Sequence, residues 1–225
     1  MCTVTFIPTN QGCIITSNRD EKISREKAIS PQEYEIDGKK ITFPKDPKAG
    51  GTWIAHTNNK IVVLLNGAKE KHLVKPFYRK SRGLIVLEIA SENDSLECWK
   101  NIDLTEIEPF TMVLFENNKL YQLQWNEIEK SLEELSSTEH HIWSSSTLYS
   151  SEIRTERAKW FADFSLKNEN PSANDILNFH QFTKSENKEF GLQINRDNKL
   201  KTISITQCIV INSKIEMVYL DLYNQ

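Results

Sequence analysis

Short turns that contain asparagine divide this chain into a series of β-hairpins, and this pattern restricts the fold more than any other feature. On either side of each turn, apolar and polar residues alternate as they do in half-buried strands. Asparagine tolerates the positive φ angles that tight hairpin turns require. Four hairpins are predicted, which pair residues 2–8 with 13–20, 52–57 with 60–66, 110–115 with 120–125, and 201–211 with 214–222.

Helical periodicity appears between the hairpins. Four helices are predicted, at residues 83–90, 94–101, 151–166 and 172–182. The apolar side chains of the third helix fall on one face, namely Ile153, Trp160, Phe161 and Phe164. No secondary structure is predicted for the polar, acidic stretch 126–140. Hairpins with helices grouped between them favour an α+β class over a doubly wound parallel sheet.

Composition narrows the functional classes. A chain of 225 residues can fold without a metal or a disulfide. Its four cysteines lie far apart without a CxxC pair, so we expect no metal site, no cofactor and no disulfide framework. The 28 basic and 31 acidic residues give no overall reason to expect nucleic acid or an anionic membrane surface. No apolar run has the length of a membrane span, and no signal peptide is evident. A single cytoplasmic domain over residues 1–225 is predicted.

Cysteine at position 2 is the strongest candidate for a reactive group. Methionine is normally removed before a small second residue, which would make Cys2 the amino-terminal residue. The thiol then has a pKa of about 8.5 and the α-amine of about 7.7–8.0, so the amine can act as general base toward its own thiol. The alternative is that Cys2 is an ordinary small residue near the start of a strand.

The first hairpin has a register that pairs similar residues. If Pro8 and Cys13 bracket the turn, Ile7 lies opposite Ile14, and the same register places Cys2 opposite Arg19. A guanidinium there lowers the pKa of a thiol and can bind a carboxylate or an oxyanion. A slip of one residue would place Asp20 there instead. The alternative for residues 18–21 is a solvated charged loop.

The second hairpin predicts another polar position. Around Asn58-Asn59, its register places Asn66 opposite Gly51. A side-chain amide after five apolar residues is a candidate oxyanion donor. A simple turn at the end of the strand is the alternative.

These residues together resemble a known family. The initial Met-Cys, the tetrapeptide Asn18-Arg19-Asp20-Glu21, the segment Gly50-Gly51-Thr52-Trp53 and the later Asn66 resemble the NRDE family, also called the transport and Golgi organisation protein 2 family. That family is similar to N-terminal nucleophile (Ntn) hydrolases with an amino-terminal cysteine, such as choloylglycine hydrolases and penicillin V acylases. The resemblance implies a four-layer αββα sandwich of two antiparallel sheets flanked by helices. It also implies hydrolysis of a non-peptide amide or related acyl (thioester) bond through an acyl-enzyme on Cys2.

The resemblance also implies roles for individual residues. Arg19 and Asp20 match the pair that positions the terminus and the substrate, and Asn66 matches the first oxyanion asparagine. Ser145 stands where a second asparagine is expected, and its hydroxyl can donate one hydrogen bond. The segment 201–206 lacks a late arginine of these hydrolases. The expected substrate-binding residues are Asn18, Glu21, Gly51, Trp53 and Ser146.

Two alternatives to an enzyme remain open. The serine at position 145 favours a catalytically degenerate binding or carrier protein for haem or acyl-CoA on the same fold. A scaffold without a small-molecule site is the other alternative. The basic segment 69–82 is typical of a solvated loop, although beside the predicted site it would attract an acidic substrate such as acyl-CoA. The expected partner is a small acyl or amide compound rather than nucleic acid.

Overall fold

A computed structural model describes residues 3–223 of the chain. Every strand pairing in it is antiparallel among these residues, which confirms the predicted α+β class. The strands are β1 Thr3–Thr9, β2 Gly12–Lys22, β3 Ile29–Ile36, β4 Lys39–Lys45, β5 Ile54–His56, β6 Lys60–Asn66, β7 Phe110–Glu116, β8 Lys119–Trp125, β9 Lys130–Leu135, β10 His141–Ser144, β11 Asn195–Arg196, β12 Leu200–Ile211 and β13 Lys214–Asp221. The helices are α1 Arg82–Ser91, α2 Ser95–Asn101, α3 Ser151–Lys167 and α4 Ala173–Phe182.

The chain forms two compact units. One unit comprises the chain up to Glu26 together with the part from Thr138 onward, and the other comprises Lys27–Ser137. In the first unit, the strands lie in the order β10, β1, β2, β12, and both β11 and β13 pair with β12. The central strands β1 and β2 are therefore adjacent in the sheet as well as in the sequence.

Helices α3 and α4 cover one face of the sheet of the first unit. Ser150 and Ser172 cap their amino termini, and Ser172 forms a capping box with Asp175. The core of this unit contains apolar side chains from both helices and from the first hairpin, namely Ile7, Ile14, Phe161, Ile176, Phe179 and Leu192. This packing fixes which face of β2 each site residue occupies.

The second unit is a meander in which β3 to β9 pair in chain order. Helices α1 and α2 pack against one face of it, with Ile85, Ile89 and Trp99 in the core. The predicted register around Asn58-Asn59 is confirmed, because Ile54 pairs with Val63 and His56 with Ile61. The predicted hairpins around Asn117-Asn118 and Asn212-Ser213 are confirmed as well, and all four of these residues have positive φ.

Two regions fold in ways that the alternation of residues did not predict. β3 and β9 are the edge strands of the second sheet, and most of their side chains are exposed, so no apolar alternation marks them. A turn at Asp37-Gly38, where both residues have positive φ, joins β3 to β4. β9 occupies part of the polar stretch 126–140, for which no structure was predicted, and β10 begins directly after that stretch.

None of the helices within residues 3–223 combines the length and the apolar character needed to cross a lipid bilayer.

Candidate active site

The first hairpin has the register predicted from its sequence. Thr3 pairs with Asn18, Ile7 with Ile14, and Thr9 with Gly12. On the other side of β1, Thr3 pairs with Ser144 of β10. Arg19 and Ser145 are therefore the residues that follow the two partners of Thr3. Cys2 lies outside the described residues, so its pairing with Arg19 stays a prediction.

Asp20 is a buried carboxylate whose two oxygens accept hydrogen bonds from different parts of the chain. The Tyr149 hydroxyl donates to Oδ2 over 2.7 Å, and Thr202 Oγ1 donates to Oδ1 over 2.5 Å. Thr202 is itself fixed, because its hydroxyl oxygen accepts from the backbone N–H of Ile194 over 2.9 Å. These bonds stabilise the charged carboxylate and hold its orientation.

A β-bulge in β12 brings Thr202 to Asp20. Thr202 pairs with Asp20 and Ser204 pairs with Arg19, so Ile203 is an extra residue in the ladder. Adjacent residues of a strand lie on opposite faces. The bulge therefore places Thr202 and Ser204, which an unbroken strand would hold on one face, on the two sides of the sheet.

Arg19 lies on the face of β2 opposite to Asp20. Its side chain is buried, and its Nη2 is 3.9 Å from Oε2 of the partly exposed Glu21. The neighbouring positions on this face carry hydroxyl groups, because Ser204 pairs with Arg19 and Thr206 pairs with Ser17. The hydroxyls of Ser17, Ser204 and Thr206 are buried and have no hydrogen-bond partner within the described part of the chain. The Arg19 face is thus polar and suited to a polar or anionic group.

Arg157 and Tyr149 are site residues that the sequence analysis missed. Arg157 is fully buried on α3, and its guanidinium lies 3.5 Å from the centroid of the Tyr149 ring. Its Nη1 donates to Thr3 Oγ1 over 2.6 Å, and its Nη2 donates to the Gly191 carbonyl over 2.6 Å. Arg157 therefore connects the start of β1 to the tyrosine that holds Asp20.

Asn18 connects β2 to the helical side of the unit. Its Nδ2 donates to the carbonyls of His180 and Leu192, over 3.1 and 2.7 Å. Its Oδ1 is 2.6 Å from Nδ1 of His180, so Nδ1 carries the proton and Nε2 accepts from Thr5 Oγ1 at 2.7 Å. Burial, with Arg157 nearby, lowers the pKa of His180 to about 3. Asn18, predicted to bind substrate, thus has its side-chain donors and acceptor engaged inside the first unit.

The serines predicted for the second oxyanion position follow β10. Ser145 and Ser146 are both buried. Ser145 Oγ is 2.8 Å from Thr147 Oγ1, and the Ser145 carbonyl accepts from the backbone N–H of Tyr149 over 3.1 Å. This turn therefore also determines where Tyr149 lies.

The remaining predicted residues lie in the second unit. Asn66 ends β6, where it pairs with Phe110 of β7. Gly51 lies against Gly83 of α1, since a Cβ atom on Gly51 would be 2.4 Å from the Gly83 carbonyl carbon. Trp53 is buried, and its carbonyl accepts from the N–H of Leu64 over 2.8 Å.

The three described cysteines have environments that disfavour the thiolate. Burial raises the pKa of Cys13 to about 12 and also raises the pKa of Cys208 and Cys98. Within residues 3–223, no group of histidine, cysteine and acidic side chains could hold a metal ion. The remaining cysteine of the sequence is Cys2.

Comparison with solved structures shows the fold. A variant of conjugated bile acid hydrolase from Clostridium perfringens matches with a TM-score of 0.56 and 9% identity, over 100% of this chain and 93% of that chain. Anbu from Hyphomicrobium sp. matches with a TM-score of 0.39 and 7% identity, over 98% of this chain and 87% of that chain. No curated protein matches the sequence significantly. The bile acid hydrolase match confirms the Ntn-hydrolase-like fold and, at this identity, shows the fold alone.

Comparison with protein families gives a match over nearly the whole chain. The model described as Transport and Golgi organisation 2 matches residues 1–217, which include parts of both units. This match covers every residue that carried the resemblance in the sequence. The chain belongs to the Transport and Golgi organisation 2 family.

Proposed function

We propose that this protein is an N-terminal nucleophile hydrolase that cleaves a non-peptide amide or a related acyl bond through Cys2. The observation that carries the proposal is the fixed carboxylate of Asp20, held by Tyr149 and Thr202 two residues beyond the partner of Thr3. A buried carboxylate with both oxygens bound is suited to hold an ammonium group. The α-amine of Cys2 is that group in the proposal.

The reaction needs no further base. The α-amine of Cys2 takes the thiol proton, and the thiolate attacks the acyl carbonyl carbon to give a tetrahedral oxyanion. Collapse of this intermediate breaks the bond to the leaving group, which receives the proton from the ammonium, and a thioester to Cys2 remains. Water, deprotonated by the amine, then attacks the thioester and releases the carboxylic acid and the free thiol.

The other site residues have positioning or electrostatic roles. Asp20 holds the ammonium group, and the buried guanidinium of Arg19 favours the thiolate or binds an anionic part of the substrate. Ser145, Ser146 and Glu21 stay candidates from the family resemblance. Asn66 is proposed as an oxyanion donor on the basis of that resemblance alone. Gly51 and Trp53 are proposed as substrate-binding residues on the same basis. Asn18 is reassigned from substrate binding to positioning, because its amide is bound to His180 and Leu192.

The test is covalent labelling of Cys2, measured by intact mass. Protein expressed without a tag is incubated with a short-chain p-nitrophenyl ester, and one acyl group is expected on Cys2, followed by its hydrolysis. Cys2→Ala should show neither. The matched control inserts one alanine before Cys2, which keeps the thiol and displaces the amine, and should acylate at least about tenfold more slowly. Retention of Met1 in the active protein, or full turnover by Cys2→Ala, would overturn the proposal.

A binding protein for haem or acyl-CoA on the same fold is the second candidate. The observation that favours it is Ser145, which replaces the expected asparagine and whose hydroxyl is already bonded to Thr147. Loss of one oxyanion donor typically lowers rates by about 10²–10³. Haem titration followed by the Soret band, and calorimetry with an acyl-CoA, test this candidate. Micromolar binding without acylation of Cys2 would favour it over the hydrolase.

A further inference from the structure

The segment that links β6 to α1 exposes three large apolar side chains close together. This segment, residues 67–81, is irregular along its length and is called the 67–81 loop below. Leu73 is 91% exposed, Val74 is 74% exposed and Phe77 is 68% exposed. Single exposed apolar residues are common at protein surfaces, whereas a cluster of three within five positions indicates an interaction site.

Several contacts within the second unit hold the base of the 67–81 loop. The backbone N–H of Gly67 donates to the Pro109 carbonyl over 3.0 Å, and that of Arg79 donates to the Glu106 carbonyl over 2.9 Å. His72 Nε2 lies 3.2 Å from Glu108 Oε1. The three apolar side chains therefore project from a fixed base and are not part of a free tail.

Cations surround the apolar side chains. Arg79 pairs with Asp103 over 3.0 Å and Lys80 pairs with Glu88, so these two cations are neutralised near the base of the loop. Three lysines lie beside or between the apolar residues of the tip, namely Lys69, Lys71 and Lys75. Two acidic side chains lie among them: Glu70 separates Lys69 from Lys71, and Glu127 pairs with Lys75 over 3.2 Å. The tip thus has a small net positive charge, although the whole chain has a net charge of −3.

We propose that the 67–81 loop docks the protein on an anionic lipid bilayer. Leu73, Val74 and Phe77 enter the boundary between headgroups and acyl chains, and the flanking lysines contact anionic headgroups. Irregular backbone needs water or other hydrogen-bond partners, so insertion stops at headgroup depth. A bilayer fits better than a protein partner, because the three side chains lie on irregular backbone, with Lys75 between Val74 and Phe77, and form neither a helix face nor a strand edge. This inference rests on the second unit alone and not on the chemistry of Cys2.

Vesicle sedimentation with the full chain tests this inference. One set of vesicles contains phosphatidylcholine only, and the other adds about 30% phosphatidylserine. The protein should bind the anionic vesicles more tightly, and the variant Leu73→Ser/Val74→Ser/Phe77→Ser should bind them at least about tenfold more weakly. Lys71→Glu should weaken binding to the anionic vesicles by about fivefold or more and should leave binding to neutral vesicles almost unchanged.

A matched control separates the loop from general surface hydrophobicity. Leu166 is 82% exposed and Phe182 is 58% exposed, and both lie on helices of the first unit, outside the loop. The variant Leu166→Ser/Phe182→Ser should bind vesicles like the unchanged protein, and urea unfolding should confirm that all variants are folded. Failure of the unchanged protein to bind either vesicle would overturn the inference. Equal binding by the triple loop variant, or a triple variant that instead changes the oligomeric state in light scattering, would overturn it as well.

Discussion

The hydroxyl of Tyr149 donates a hydrogen bond of 2.7 Å to Asp20, and the ring of the same tyrosine lies under the guanidinium of Arg157 at 3.5 Å. Tyr149 thus fixes a buried anion with its polar end and a buried cation with its π face. The two charges do not need to contact each other to be held in place. Because the hydroxyl makes one interaction and the ring makes the other, substitutions of Tyr149 can remove them one at a time.

Tyr149→Phe removes the hydroxyl and keeps the ring under Arg157. We expect the free energy of unfolding to fall by about 1–3 kcal/mol, since a buried carboxylate loses a hydrogen bond. If Cys2 is the nucleophile, its acylation rate should fall by roughly tenfold or more, because Asp20 is less well oriented. Intact-mass kinetics and urea unfolding measure the two effects. Tyr149→Leu removes the ring too and should be less stable; a Phe variant with unchanged acylation would argue against a positioning role.

Arg157→Met tests the buried cation on α3. The change leaves Thr3 Oγ1 and the Gly191 carbonyl without their donor, so the free energy of unfolding should fall by about 2–4 kcal/mol. Lys159→Met lies two residues along the same helix at an exposed position and should change stability by less than about 0.5 kcal/mol. Thermal or urea unfolding compares the two variants. Equal stability of both would contradict the structural role assigned to Arg157.

The hairpins could be predicted from short stretches of sequence, because the residues on either side of a turn determine how its two strands pair. The pairing of Ile7 with Ile14 and of Ile54 with Val63 follows from turn position and matched side chains, and both pairings are confirmed. The exposed edge strands β3 and β9 lack a buried face, so alternation of apolar residues did not mark them. The sequence therefore predicted the strands that form the core better than those at the edges.

The partners of Asp20 could not be predicted in the same way. Tyr149 and Thr202 are more than 100 residues away in sequence, and the bulge at Ile203 changes which side chains of β12 share a face with Asp20. The buried position of Arg157, in contrast, could have been inferred from the sequence. It lies four residues from both Ile153 and Phe161, on the apolar face predicted for α3, where a charged residue indicates a buried interaction.

Gly51→Ala tests the close approach of two backbones in the second unit. The added Cβ would be 2.4 Å from the carbonyl carbon of Gly83, and Gly83→Ala would bring its Cβ within 2.7 Å of the Thr52 carbonyl oxygen. Neither contact can be relieved by rotating a side chain, so each variant should lose about 1–3 kcal/mol of unfolding free energy. Because both changes open the same contact, the double variant should lose less than the sum of the two. Strict additivity would contradict a shared contact.

Buried His180 makes stability depend on pH. Burial, with Arg157 nearby, lowers its pKa from about 6.5 to about 3, and the hydrogen bonds to Asn18 and Thr5 are those of the neutral ring. Below about pH 6.5, His180 therefore binds a proton in the unfolded chain, whereas in the folded protein it stays neutral until the pH approaches 3. The stability due to the neutral ring is complete above that pH and is lost as the pH falls toward 3, with a limiting slope of about 1.4 kcal/mol per pH unit.

His180→Gln isolates this contribution. Glutamine does not titrate, so the variant should be less stable at pH 7 and should lose less stability than the unchanged protein between pH 6.5 and 4. Burial also lowers the pKa of His56 and His140, which titrate in the same direction and remain in the variant, so the difference between the two proteins reports His180 alone. Urea unfolding at several pH values measures that difference. Parallel curves for the two proteins would mean that His180 accepts a proton without cost in the folded state, and the neutral ring between Asn18 and Thr5 would then be wrong.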